Sequence, residues 1–111
     1  MRNGVMLPDP VVGDKFPIHR AHKALTITNV YAVVKGTAPS VTIKLTHDAD
    51  ASASGTEILN VPTAITNQTS GHNLTTFNDS TIPLGNWINI ELTAVSGVVE
   101  HIMVQLTWNY D

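Results

Sequence analysis

Residues 86–111 read NWINIELTAVSGVVEHIMVQLTWNYD. Two runs within this stretch alternate with a period of two. In the first, Ile88, Ile90, Leu92 and Ala94 share one parity against Trp87, Asn89, Glu91 and Thr93. In the second, Ile102, Val104, Leu106, Trp108 and Tyr110 alternate with His101, Met103, Gln105, Thr107 and Asn109. That period puts the apolar set on one face of a β-strand and the polar set on the other. Ser96-Gly97 is a turn signal between the runs, so a hairpin is expected. The second run continues to the last residue. So apolar a strand at a sheet edge would invite pairing with other chains, so it is expected inside a sheet.

The same grammar extends upstream. Leu25 and Ile27 alternate with Thr26 and Thr28, and then Val30, Ala32 and Val34 continue on the shifted parity. A phase change of one residue at Asn29 is what a β-bulge produces. Gly36-Thr-Ala-Pro39 reads as a turn, after which Val41, Ile43 and Leu45 alternate with Thr42, Lys44 and Thr46. Residues 48–55 are a small polar loop, residues 56–61 (TEILNV) a short strand stopped by Pro62, and residues 63–85 a long polar stretch with one strand expected within Asn73–Phe77. No segment keeps a helical i, i+3, i+4 apolar rhythm. The expectation is an all-β chain of seven or eight short strands forming an antiparallel, jelly-roll-like β-sandwich.

Residues 1–18 differ in texture, carrying Pro8, Pro10 and Pro17 with Gly4 and Gly13. Proline removes backbone donors and biases its predecessor toward extended backbone. An extended N-terminal arm over 1–18 is expected, with a short edge strand at Val11–Val12, followed by a sandwich domain over 19–111. Deleting the arm is then expected to leave the domain folded.

The chain has 111 residues, a net charge of −3, 14% charged residues and no cysteine. The length suits one domain. There is no basic run for nucleic acid, no apolar run near the ~20 residues of a spanning helix, and no signal-peptide pattern at the start. Thiol chemistry and disulfides are excluded. His19 and His22 stand three apart, which on a strand places them on opposite faces. Asp48 and Asp50 are too few for a calcium cage of six to eight oxygens. His72, Asp79 and Ser80 contain the residue types of a hydrolytic triad, without a glycine elbow around Ser80. Glu57, Glu91 and Glu100 lie scattered over different segments. The sequons at Asn67, Asn73 and Asn78 read as chance matches in a long polar loop. The sequence therefore points to no catalytic residue, no metal and no cofactor. Trp87 stands on the parity opposite Ile88 and Ile90, which makes it a candidate exposed aromatic for stacking on a sugar or for an interface.

The stretches 80–111, 24–50 and 55–59 together resemble small β-sandwich proteins of tailed bacteriophages: jelly-roll capsid decoration (cement) proteins and fibre domains. The resemblance lies in strand order and turn texture over about residues 24–110, and it carries no site residues across. It implies a virion structural protein, made in the host bacterial cytoplasm, that binds the major capsid protein on the outer head surface. It further implies homo-oligomers, trimers in particular, with N-terminal arms that reach capsid subunits. Val5, Met6, Leu7, Pro8, Val11, Val12 and Phe16 are then the candidate capsid contacts. A chain that starts at Met1 and ends on its last strand is expected to act as a free short protein. The alternative is a receptor- or glycan-binding module of a tail or head fibre, built on Trp87 and the 66–80 loop.

Overall fold

The computed structural model describes residues 2–111, with side chains from residue 4 onward; Met1 of the expected arm lies outside the described residues. Eight strands follow one another: β1 (Arg2–Pro8), β2 (Lys15–Arg20), β3 (Leu25–Asp48), β4 (Thr56–Glu57), β5 (Thr63–Ile65), β6 (His72–Leu74), β7 (Thr81–Ile82) and β8 (Trp87–Tyr110). All belong to one antiparallel sheet, and no helix occurs among the described residues.

The two long strands dominate. β3 and β8 are each 24 residues and pair from Leu25↔Tyr110 to Asp48↔Trp87. Both turns expected from sequence are absent as chain reversals. Gly36–Ser40 and Ser96–Val99 instead face each other in the middle of this ladder, where its register shifts. Each signal is real, but the chain bends there and does not turn back. Gly97 has φ +71°, and a side chain on it would lie 2.1 Å from the Ala38 carbonyl oxygen. Ala38 opposite is itself at φ 47°. A Cβ on Gly36 would lie 1.9 Å from the Val98 carbonyl oxygen. The two backbones thus cross at a distance that only glycine permits.

A straight strand of this length would run about 79 Å at ~3.3 Å per residue. The longest dimension of the molecule is 40 Å. The β3–β8 ribbon therefore folds over at its middle, and its two halves bury one shared core. Leu25, Ile27, Val30 and Val34 of the first half of β3 join Val41, Ile43 and Leu45 of its second half. Ile88, Ile90 and Leu92 likewise meet Ile102, Val104, Leu106 and Trp108. The His19 and Trp108 rings, from strands at opposite ends of the ribbon, stand 4.6 Å apart. One continuous bent sheet stands where two separate sheets of short strands were expected.

Short strands complete both edges. β1 pairs with residues 101–107 and β2 with residues 87–91 of β8, while β4, β5, β6 and β7 pair with β3. The last strand is therefore interior, as its apolar pattern requires. The phase change at Asn29 is a register shift between Ile27 and Asn29, and the Thr28 hydroxyl bonds the Thr107 carbonyl at 3.2 Å.

The extended arm is corrected by this pairing. Residues 2–8 form a regular antiparallel strand on β8, and the boundary expected at 18/19 falls inside β2. Val5, Leu7, Phe16 and Ile18 pack against the core. Val5 and Leu7 turn inward while Gly4 and Met6 face out, and Pro8 ends the run. Val11–Val12 is not a strand but an exposed turn between β1 and β2. β5, inside the stretch expected to be loop, was hidden by its three-residue length.

Gly97→Val is expected to destabilise the fold by roughly 2–4 kcal/mol, from left-handed backbone strain plus overpacking. Chemical denaturation of the variant against wild type measures this; an unchanged midpoint would contradict the tight crossing.

Candidate interaction surface

The outer face of the sheet over β1, β8 and β3 is ordered by register. Met6 pairs with Met103, and Met103 with Val33, which sets one apolar row across three strands. In the next row Gly4 pairs with Gln105, Gln105 with Tyr31, and Tyr31 with Asn73 of β6. Their neighbours of opposite parity, Val5, Ala32 and Val104, point into the core or pack against it. Alternation thus leaves this set outward, and the exposures are high for large apolar side chains: Met6 58%, Tyr31 42% and Met103 46%. Gly4 contributes no side chain, so the rows enclose a shallow, mainly apolar groove of about 320 Å³, walled on one side by Ser70 and Gly71.

That wall is held firmly. The Asn67 Oδ1 accepts from the backbone N–H groups of Thr69, Ser70 and Gly71 at 2.9, 3.0 and 3.1 Å. His72 Nε2 accepts from Thr66 and Asn67 N–H, both at 3.2 Å, so the ring proton resides on Nδ1. Gln68 takes the Gly36 N–H on its Oε1 and the Lys35 ammonium on its carbonyl. The Asn67 sequon is therefore a loop cap, its side chain occupied by its own backbone.

The other residues singled out from sequence are dispersed. Trp87 is half-buried, beside its ladder neighbours Arg20 and Asp48, with the Arg20 guanidinium 5.8 Å from its ring centroid. Of the proposed contacts, Val5, Leu7 and Phe16 pack against the core, whereas Met6, Pro8, Val11 and Val12 are exposed. His19 stacks on Trp108, and His22 meets the Tyr110 hydroxyl at 3.2 Å. Asp48 and Asp50 cap their own loop: Asp48 accepts the Asp50 N–H, and Asp50 accepts the Ser52 N–H and hydroxyl. Those Ser52 bonds hold the Asp50 carboxyl below its usual range. Among the described residues no group of three His, Asp or Glu side chains is placed to hold a metal ion.

His72, Asp79 and Ser80 do not assemble into a triad. Asp79 instead bonds His47 Nε2 at 3.0 Å, and the Asn86 amide meets His47 Nδ1 at 2.9 Å. With the amide donating to Nδ1, the ring proton on Nε2 goes to Asp79. This part-buried link ties the 58–86 segment to β3. Sequence reasoning missed it, though the signal was present: His47 continues the buried parity of Val41, Ile43 and Leu45.

No family model, curated protein or solved structure matches this chain.

His19 titrates below its ordinary value, first because burial disfavours the imidazolium and second because His22 adds like charge. A lowered folded-state value means the unfolded chain binds the proton more tightly. The His19 contribution is then complete above the unfolded value of about 6.5 and is lost as pH falls through the folded-state value. The melting temperature is expected to drop between pH 7 and 5, and less so in His19→Phe. Equal pH slopes in the two proteins would contradict this.

Proposed function

We propose that this protein is a non-enzymatic structural protein of a tailed-bacteriophage virion, a decoration protein that binds the outer head surface as a homo-oligomer and stabilises the shell. The observation that carries the reading is the apolar row Met6–Met103–Val33 with Tyr31, of which Met6, Met103 and Tyr31 are exposed, on a sheet face flanked by a hydrogen-bonded loop. Such a face suits a broad, flat contact with another protein, because exposed apolar patches rimmed by polar groups mark interaction sites. The resemblance of strand order and turn texture supplies the kind of partner, the major capsid protein. The finer reading of the fold, a jelly-roll-like sandwich, is supported by the core that the two halves of the bent sheet share.

The contact set shifts accordingly. Met6 acts from the sheet face and not from a free arm, with the exposed Val11–Val12 turn as a second patch. Many copies, each with a modest contact, raise the barrier to shell rupture together. The glycan-binding alternative needs Trp87 as an open platform, and that ring is half-buried beside Arg20.

Truncating residues 1–18 is a poor test, because it removes β1 and most of β2 from the sheet. Surface substitutions are cleaner. Heads purified without this protein, mixed with wild type and imaged by electron cryomicroscopy, are expected to gain density at repeated surface positions. Tyr31→Asp with Met103→Asp, folded by circular dichroism, is expected to cut occupancy at least tenfold. Bare heads with wild type would overturn the proposal, and full occupancy by the double variant would overturn the role of this face.

A further inference from the structure

Register brings two of the chain's three methionines to one spot: Met6 of β1 stands directly opposite Met103 of β8. The Asp9 N–H donates to the Glu100 carbonyl at 3.0 Å, one step beyond the Pro8↔His101 pair. Antiparallel ladder bonds recur at every second pair, so Leu7↔Ile102 is a hydrogen-bonded pair and Met6↔Met103 a non-hydrogen-bonded one. The second class has the closer approach, with Cα atoms about 4.5 Å apart. The Gly4↔Gln105 pair belongs to the same class and agrees: a Cβ on Gly4 would stand 3.9 Å from the Gln105 Cβ. Met6 and Met103 are both exposed, so core packing does not hold their sulfurs apart. Each side chain has three rotatable bonds, enough for two thioethers rooted this close to meet on one ion.

A nitrogen donor lies beside them. His101 has the parity of Met103 and pairs with Pro8, which places it on the same outer face, diagonal to Met6. Diagonal neighbours across two strands stand about 7–8 Å apart, within reach of long side chains. Among the described residues no hydrogen bond or ring contact occupies its half-buried imidazole. Lys35 faces His101 from β3, but its ammonium is taken by the Gln68 carbonyl.

The donor types decide the ligand. Calcium and magnesium take oxygen ligands, and zinc takes thiolate, imidazole or carboxylate. Thioether sulfur is a soft, uncharged donor, and with imidazole it favours copper(I). We propose that Met6, Met103 and His101 form a surface site for Cu(I), with two thioethers and one imidazole nitrogen around a single ion. Its residues lie at opposite ends of the chain, and only the β1–β8 register joins them. The site is an activity beyond head binding.

Calorimetric titration of the full chain with Ag(I), a redox-inert stand-in for Cu(I), in chloride-free buffer tests it. Wild type is expected to bind one ion per chain, with the Met6 and Met103 methyl resonances shifting together. Met6→Leu with Met103→Leu keeps the apolar row and removes both sulfurs. It is expected to weaken binding at least tenfold with β-sheet circular dichroism unchanged. His101→Ala is expected to weaken binding at least tenfold as well. Absence of saturable Ag(I) binding, undiminished binding in the leucine pair or in His101→Ala, or a methyl shift confined to Met1 would overturn the site. Head occupancy by the leucine pair is expected to equal wild type, so the ion site and the decoration role fail separately.

Discussion

The pairing of β3 with β8 is the constraint on which everything else rests. Two strands of equal length run antiparallel from end to end, and each other strand adds to one of their edges. Because both strands are longer than the molecule, the ribbon must bend, and the bend creates the core. Its two inner faces are each apolar by period-two alternation, and neither could be buried without the other. The tight crossing of Gly36–Ser40 with Ser96–Val99 is therefore more than a local irregularity. It sets how the faces meet, and through them the placement of Trp108 against His19 and of Ile88 against the far half.

Much of this was legible from residues alone. Alternation gave strands, the parity slip at Asn29 gave a bulge, and an apolar strand running to Tyr110 gave an interior position for β8. Turn chemistry was legible as a departure from regular backbone but not as its outcome. Glycine and proline mark where φ and ψ leave the strand region, and a facing pair of such departures can bend a ribbon as well as reverse a chain. Only the partner across the ladder decides, and that partner is some 60 residues away in sequence. The same non-locality hid β1. Three prolines in residues 1–18 suggested an arm, yet Pro8 and Pro17 both lie in edge strands, where the lost donor can be tolerated. His47 was missed for a different cause, since it occupies a core position by parity and is tolerated there because Asp79 and Asn86 take both ring nitrogens.

The candidate surface was partly legible. Met6 was expected as a contact on a free arm, Met103 stood on the polar parity of its strand, and Tyr31 was not singled out as a contact. Register brought them together. A face of this kind comes directly from the architecture: the bend buries one side of the sheet, and the other side is left with whatever the opposite parity supplies. Over β2 and the start of β8 that supply is partly polar and charged, with Lys15, Glu91 and Lys44 in one row. Over β1, the end of β8 and the facing part of β3 it includes Met6, Met103, Val33 and Tyr31, with polar neighbours such as Gln105. The asymmetry leaves Met6, Met103 and Tyr31 exposed on one half of the sheet's outer face.

The central claim is that the two halves of the ribbon are one folding unit joined through the crossing. Native-state hydrogen exchange measures this most directly. Inward ladder amides of residues 25–35 and of residues 41–48 should open with the same free energy and the same denaturant dependence, as expected when both halves unfold together. Two distinct opening energies, with one half protected after the other has exchanged, would contradict a single shared core.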